Sequence, residues 1–144
     1  MTSPGPLRSP GFHLWHSAMA WRAAVNDALD GKLTATQFFV LGAINWLGKT
    51  AQAPTQAEVS EFSMMDPMTV SQVVRTLAKS NLVTREDDPN DTRSWRLKTT
   101  AAGAELVSAS AAKVREVDRR FFAHAAPQTL TDLERMNQTA KESR

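Results

Sequence analysis

Residues 66–103 read DPMTVSQVVRTLAKSNLVTREDDPNDTRSWRLKTTAAG, and the fold turns on how this run is parsed. Asp66 before Pro67 is a helix start: the carboxylate accepts free amide hydrogens, and proline stands where no amide bond is lost. Val70, Val73, Val74 and Leu77 then recur at three-and-four spacing, so one face of a helix from Pro67 to about Ser80 is apolar and packs inward. The other face carries Met68, Gln72, Arg75 and Lys79 on one stripe, with Thr69, Ser71 and Thr76 beside it. Hydrogen-bonding groups mixed with positive charge suit base edges and phosphates. An ordinary solvated helix face has the same composition, so the flanking sequence has to decide.

Upstream, Thr55 with Glu58 three residues on forms a capping box that opens a short helix ending near Met64 and Met65. Two short helices about a turn at Ser63 to Asp66 make a helix-turn-helix. Downstream, Asn81 takes the left-handed position that ends the second helix, and Leu82 to Arg85 reads as a strand. Asp87 to Asp91 is a turn cluster, and in Arg93 to Lys98 the pair Trp95 and Leu97 alternates against Arg96 and Lys98. This predicts a β-hairpin with a long tip, and helix, turn, helix, hairpin is the order of a winged helix-turn-helix.

The run from Asp66 to Gly103 resembles the DNA-binding lobe of the MarR family of bacterial transcriptional regulators. Asp91-x-Arg93, followed by Leu97, Thr100 and Gly103, is similar to the family's wing signature DxRxxxLxLTxxG. Thr99 stands where the family usually has leucine, and Asn81 where it usually has glycine. The resemblance implies a mostly α fold with a small antiparallel β wing. It implies a lobe at 34–99, and dimerisation helices at 12–30 and 100–144 that interleave between two chains. It further implies that Arg93 enters the minor groove of double-stranded DNA. Many members bind small aromatic acids between the dimer helices and the lobe, which places a ligand pocket at Trp15, Met19 and Trp46.

From the residue types, Gln72 and Arg75 are assigned to base edges, since an amide suits adenine and a guanidinium suits guanine. Ser71, Thr69, Met68 and Lys79 lie beside them, and Arg96 joins Arg93 on the wing. Thr55 and Gln56 are expected to present amides and side chains to phosphate. Asp91 is expected to hold the wing by pairing with Arg85 or Arg93.

The rest of the chain frames this lobe. With 144 residues it is one domain, small for a regulator that reads two half-sites, so a homodimer is expected. Cysteine is absent, which excludes disulfides, thiolate zinc sites and thiol-based peroxide sensing. No signal peptide or membrane-spanning run is evident, and a cytoplasmic location is expected. A net charge of +2 decides little about nucleic acid. Residues 1–11, rich in proline, glycine and serine, read as a disordered tail. Phe12 to Asp30 is a helix with two apolar stripes, ended by Gly31; Thr34 with Gln37 caps a second, apolar nearly all round, that runs to Gly48. A long helix from Thr100 carries Val107, Ala111, Val114, Val117 and Phe121 on a narrow seam; Pro127 breaks it, and a last helix spans about Thr129 to Lys141.

No nucleophile elbow or glycine-rich phosphate loop appears, and His13 with His16 has no third ligand nearby, so neither an enzyme nor a cofactor or metal is expected. Two alternatives stay open. One is a constitutive repressor that senses nothing; the other is a protein adaptor presenting Met64, Met65 and Met68 as an adaptable apolar contact.

Overall fold

Asp66 caps its helix in the way its position before Pro67 predicts: the Thr69 N–H donates to the Asp66 carboxylate at 3.0 Å. The computed structural model describes residues 5–143. Six helices and one hairpin follow in the order α1 (Pro10–Leu29), α2 (Ala35–Thr50), α3 (Gln56–Ser63), α4 (Pro67–Lys79), β1 (Val83–Asp88), β2 (Asp91–Thr99), α5 (Ala101–Phe121) and α6 (Thr129–Glu142). Both capping boxes form, Thr34 with Gln37 and Thr55 with Glu58, each hydroxyl accepting the third amide of its helix. Asn81 ends α4 at φ 57°, in the left-handed region an asparagine tolerates.

The core lies where α2 crosses α3, α4 and the base of the wing. Val40, Leu41 and Ile44 of α2, Val59 of α3, Val70, Val74 and Leu77 of α4, and Val83 and Leu97 of the hairpin are all buried. Full burial of such side chains stabilises by roughly 1.5–3 kcal/mol each, which is what fixes α4 against the body of the lobe. Val25 and Leu29 bring the end of α1 onto the same core, and the Trp21 indole N–H donates to Asp118 at 2.7 Å, tying α1 to α5.

The two strands pair antiparallel, Val83 with Thr99 and Arg85 with Leu97. A third short edge is added by the chain before α3: the Leu97 N–H donates to the Pro54 carbonyl at 2.8 Å, and Thr55 bridges Arg96. Thr99, polar where leucine was expected, donates its hydroxyl to the Asn45 side chain at 3.2 Å. The wing base is thereby pinned to α2 by a hydrogen bond, and the side chain needs no apolar partner.

Several boundaries differ from the sequence reading. The wing tip is short, Pro89 and Asn90 alone, because Asp88 turns inward and accepts the Asn90 N–H at 3.0 Å while β1 extends to it. Part of the stretch assigned to a tail is ordered: Pro6–Arg8 form a 3-10 turn, and α1 starts at Pro10, capped by the Ser9 hydroxyl. Residues 1–4 lie outside the described residues. α2 is not buried all round, since Phe39 and Trp46 face solvent. α6 buries none of its residues, and Leu14, Trp15, Met19, Phe121, Phe122, Leu130 and Met136 are exposed on α1, α5, α6 and the turn between the last two.

Candidate nucleic-acid interface

The turn between α3 and α4 is built from short local bonds. Met64 adopts φ 57° and Ser60 donates its hydroxyl to the Met65 carbonyl at 2.6 Å, which reverses the chain and starts α4 at a fixed angle to α3. With Val70, Val74 and Leu77 facing inward, Met68, Gln72, Arg75 and Lys79 face outward; Met68 is 71 % exposed. Thr69 and Ser71 are half-buried at the edge of this face. Thr69 is already engaged, its hydroxyl donating to Asp66 at 3.0 Å in addition to its amide. Its contribution is to hold the first turn rather than to offer a free donor.

These two bonds hold the Asp66 carboxyl below the ordinary carboxylate range, the Thr69 amide being the larger cause. The sign follows directly. The native state prefers the ionised form, so the cap is fully present at neutral pH and is lost as pH falls through the lowered pKa. Amide exchange at Thr69 should therefore accelerate relative to Val74 as the pH drops below about 4, and Asp66→Asn should remove that dependence. Equal acceleration at both amides would mean that the whole helix opens and that the cap has no special part.

At the start of α3 the expected phosphate donors divide. The Thr55 N–H donates to the Glu58 carboxylate at 2.8 Å and is not available, whereas Gln56, the first residue of the helix, is half-buried beside the wing. On the wing, Arg93 is exposed and its backbone N–H donates to Asp91 at 2.9 Å. The expected ion pair from Asp91 to Arg85 or Arg93 does not form among the described residues; Asp91 shapes the tip through the main chain, and Arg85 instead lies over the Trp95 ring, 4.7 Å from its centroid.

Arg96, grouped with Arg93 on the sequence, points the other way. It is 16 % exposed, donates from Nη1 to the Ala53 carbonyl at 2.9 Å, and lies 3.5 Å from the Glu58 carboxylate. Its Nε stands 3.2 Å from Asp88, itself 6 % exposed, without the alignment of a hydrogen bond, so that contact is one of charge. Arg96 is a latch between the wing, the loop before α3 and α3 itself. Residues 93 and 96 differ by an odd number along a strand and so face opposite sides. The pattern announces that much, but which side is covered depends on the edge at Pro54 and Thr55.

The charge left over is the informative quantity. Among the described residues Arg75, Lys79, Arg85 and Arg93 make no ion pair, while Arg96 and Lys98 are neutralised by Asp88, Glu58 and Glu86. The uncommitted cations lie on the outer face of α4 and on the hairpin, while three of the wing's acids, Glu86, Asp88 and Asp91, are turned onto their own neighbours. Such an arrangement can take up a polyanion with positive charge and read hydrogen-bonding edges with Gln72 and Arg75.

The other expected sites look different. Trp15, Met19 and Trp46 are exposed and line none of the cavities described; a cleft between α1, α5 and α6 is lined instead by Trp21, Arg115, Phe122 and Leu133. His13 Nε2 is 2.8 Å from the Leu7 carbonyl, and no group of three metal-binding side chains occurs among the described residues. Met65 is packed on the core while Met64 and Met68 are exposed. No helix of the described residues is long and apolar enough to cross a membrane.

Comparison with known proteins gives four findings. The family model described as MarR family matches residues 33–95. The chain is 38 % identical over 122 residues to the uncharacterized HTH-type transcriptional regulator YdcH of Bacillus subtilis, covering 84 % of this chain and 83 % of that one. It is 30 % identical over 107 residues to the HTH-type transcriptional repressor NicR of Pseudomonas putida, covering 73 % and 65 %. Among solved structures, the PcaV transcriptional regulator from Streptomyces coelicolor, in complex with its natural ligand, superposes with a TM-score of 0.84 at 21 % identity over 100 % of both chains, a likeness of fold.

Proposed function

The chain belongs to the MarR family of transcriptional regulators, which are not enzymes, and from that premise we propose that it is a homodimeric, sequence-specific repressor acting on a near-palindromic operator. The observation that carries the proposal is the outer face of α4: exposed Gln72, Arg75 and Lys79, flanked by exposed Arg93, with no carboxylate partner among the described residues. Two such helices in successive major grooves require half-sites about ten base pairs apart. In this reading the reading lobe spans 34–99, and the helices around it, 12–30 and 100–144, join two chains. The exposed apolar side chains of α1, α5 and α6 support that division, since a patch of this kind marks an interaction surface. Repression is favoured by the relative NicR, named a repressor.

Release by a small aromatic acid belongs to the same proposal, in keeping with the ligand-bound PcaV. In this reading its seat lies between two chains, and the exposure of Trp15, Met19 and Trp46 on the single chain is consistent with that. Salicylate at a hundred times its Kd is expected to stabilise the dimer by about 2.7 kcal/mol, read as a rise in Tm. An unchanged Tm at millimolar salicylate would leave a constitutive repressor.

A pair of variants tests the base-reading assignment. Gln72→Ala should lose about 1–3 kcal/mol on the operator and tolerate substitution at one base step. Arg93→Ala should weaken binding to every duplex alike and lower the slope of log affinity against log salt by about one. Full affinity in Arg93→Ala would take the wing out of the contact.

A further inference from the structure

Trp95 is the one large aromatic side chain of the hairpin, and it is 44 % exposed. It shares a face of the sheet with Leu97 and Val83, which are buried, but stands two residues nearer the tip than Leu97, outside the buried core. A tryptophan placed there for stability alone would be covered. Instead one side of the ring is occupied by the Arg85 guanidinium, which makes no ion pair among the described residues although Glu86 and Asp87 follow it in sequence. The indole also lines a cleft of about 250 Å³ with Gln56, Ala57, Ser71, Arg93 and Ser94. Three different elements, α3, α4 and β2, thus bring an amide, hydroxyls and a guanidinium around one hollow, and the lining contains no carboxylate. Donors without acids, a stacked cation and a flat apolar wall describe a seat for an anion attached to an apolar ring edge.

We propose that this cleft seats one phosphodiester of the duplex, held by Gln56, Ser71 and Arg93, with its deoxyribose against Trp95 and Arg85 stiffening the indole from behind. The inference rests on the DNA-binding reading above and deepens it, giving Arg85 and Trp95 a part in the contact and placing the backbone strand between α4 and the wing. Because a sugar–phosphate contact carries no base information, its effect is uniform across sequences.

The test uses the full-length protein with Trp95→Ala, Trp95→Phe and Arg85→Ala, each checked for an unchanged melting curve. Trp95→Ala is expected to weaken binding to an operator and to an unrelated duplex by the same factor, about tenfold or more, with Arg85→Ala weaker by a smaller factor and Trp95→Phe within about threefold of wild type. Duplex should also change the tryptophan emission of the wild-type protein, and that change should vanish in Trp95→Phe although binding persists. Wild-type affinity in Trp95→Ala, or an emission change that persists in Trp95→Phe, would overturn the site while leaving the DNA-binding reading intact. Should Trp95→Ala fail to fold, the emission of Trp95→Phe decides by itself. Inorganic phosphate at matched ionic strength should leave the emission unchanged; if it reproduces the duplex effect, the cleft takes a free anion and the backbone assignment is wrong. Wild-type protein that binds no duplex at low salt would remove both readings together.

Discussion

Gly103→Ala is expected to destabilise the protein by about 3 kcal/mol or more, lowering Tm by roughly 10 °C. A Cβ at this position would stand 2.1 Å from the Leu82 carbonyl oxygen and 3.0 Å from its carbon, so backbone would have to move. That backbone is fastened. The Leu82 carbonyl accepts the Thr100 N–H at 3.0 Å, the Thr100 hydroxyl donates to the Asn81 carbonyl at 2.8 Å, and the Thr100 hydroxyl oxygen accepts the Gly103 N–H at 3.0 Å. Threonine and glycine three residues apart are therefore one device, which docks the first turn of α5 directly on the chain leaving α4 and so sets the base of the wing. Gly48 supplies the control. It lies in α2 with nothing within 4 Å of an added Cβ, and Gly48→Ala should stabilise by up to about 1 kcal/mol through helix propensity alone. Thermal melts of the two variants, measured together, check the contrast; a Gly103→Ala protein as stable as wild type would show that α5 shifts at no cost.

Arg96→Met should cost about 2–3 kcal/mol, because it removes the counter-charge from a carboxylate that is 6 % exposed and leaves the Ala53 carbonyl without its donor. The figure is set below the full cost of breaking a buried pair, since Glu58 is more than half exposed and Asp88 keeps the Asn90 N–H. Adding Asp88→Asn should recover part of the loss, as an amide can be buried there at less expense than an unpaired charge. Denaturant melts of the single and double variants give the coupling. Arg96 placed against DNA would behave differently: stability would hold and the salt dependence of binding would fall by about one phosphate. That outcome would return Arg96 to the contact surface where its sequence position first put it.

The contrast between Arg93 and Arg96 shows where sequence stops being informative. Caps such as Thr34 with Gln37, Thr55 with Glu58 and Asp66 with Thr69 are legible because donor and acceptor lie within four residues of each other. The inward face of α4 is legible for the same reason, its period being a property of the helix itself. Arg96 is held by the Ala53 carbonyl and the Glu58 carboxylate, each some forty residues upstream, and nothing local to Arg96 announces it. Asp88 read as a turn residue for its company, Asp87, Pro89 and Asn90, and its burial follows from the same latch. The alternation that puts Trp95 on one face with Leu97 is legible, but that Leu97 is buried and Trp95 exposed depends on the tertiary packing around the base of the hairpin. Thr99, where the family usually has leucine, has its partner in Asn45 on α2, fifty-four residues away and beyond any local pattern.

The central claim is that the α4 face reads a particular sequence, and selection from a random duplex pool followed by anisotropy tests it most directly. Wild-type protein should enrich a near-palindrome with half-sites about ten base pairs apart and bind it about a thousandfold or more tighter than a scrambled duplex, both affinities falling steeply as salt rises. A pool that yields no common sequence, with no binding to any duplex at low salt, would contradict the account and give the exposed Met64 and Met68 surface to a protein partner instead.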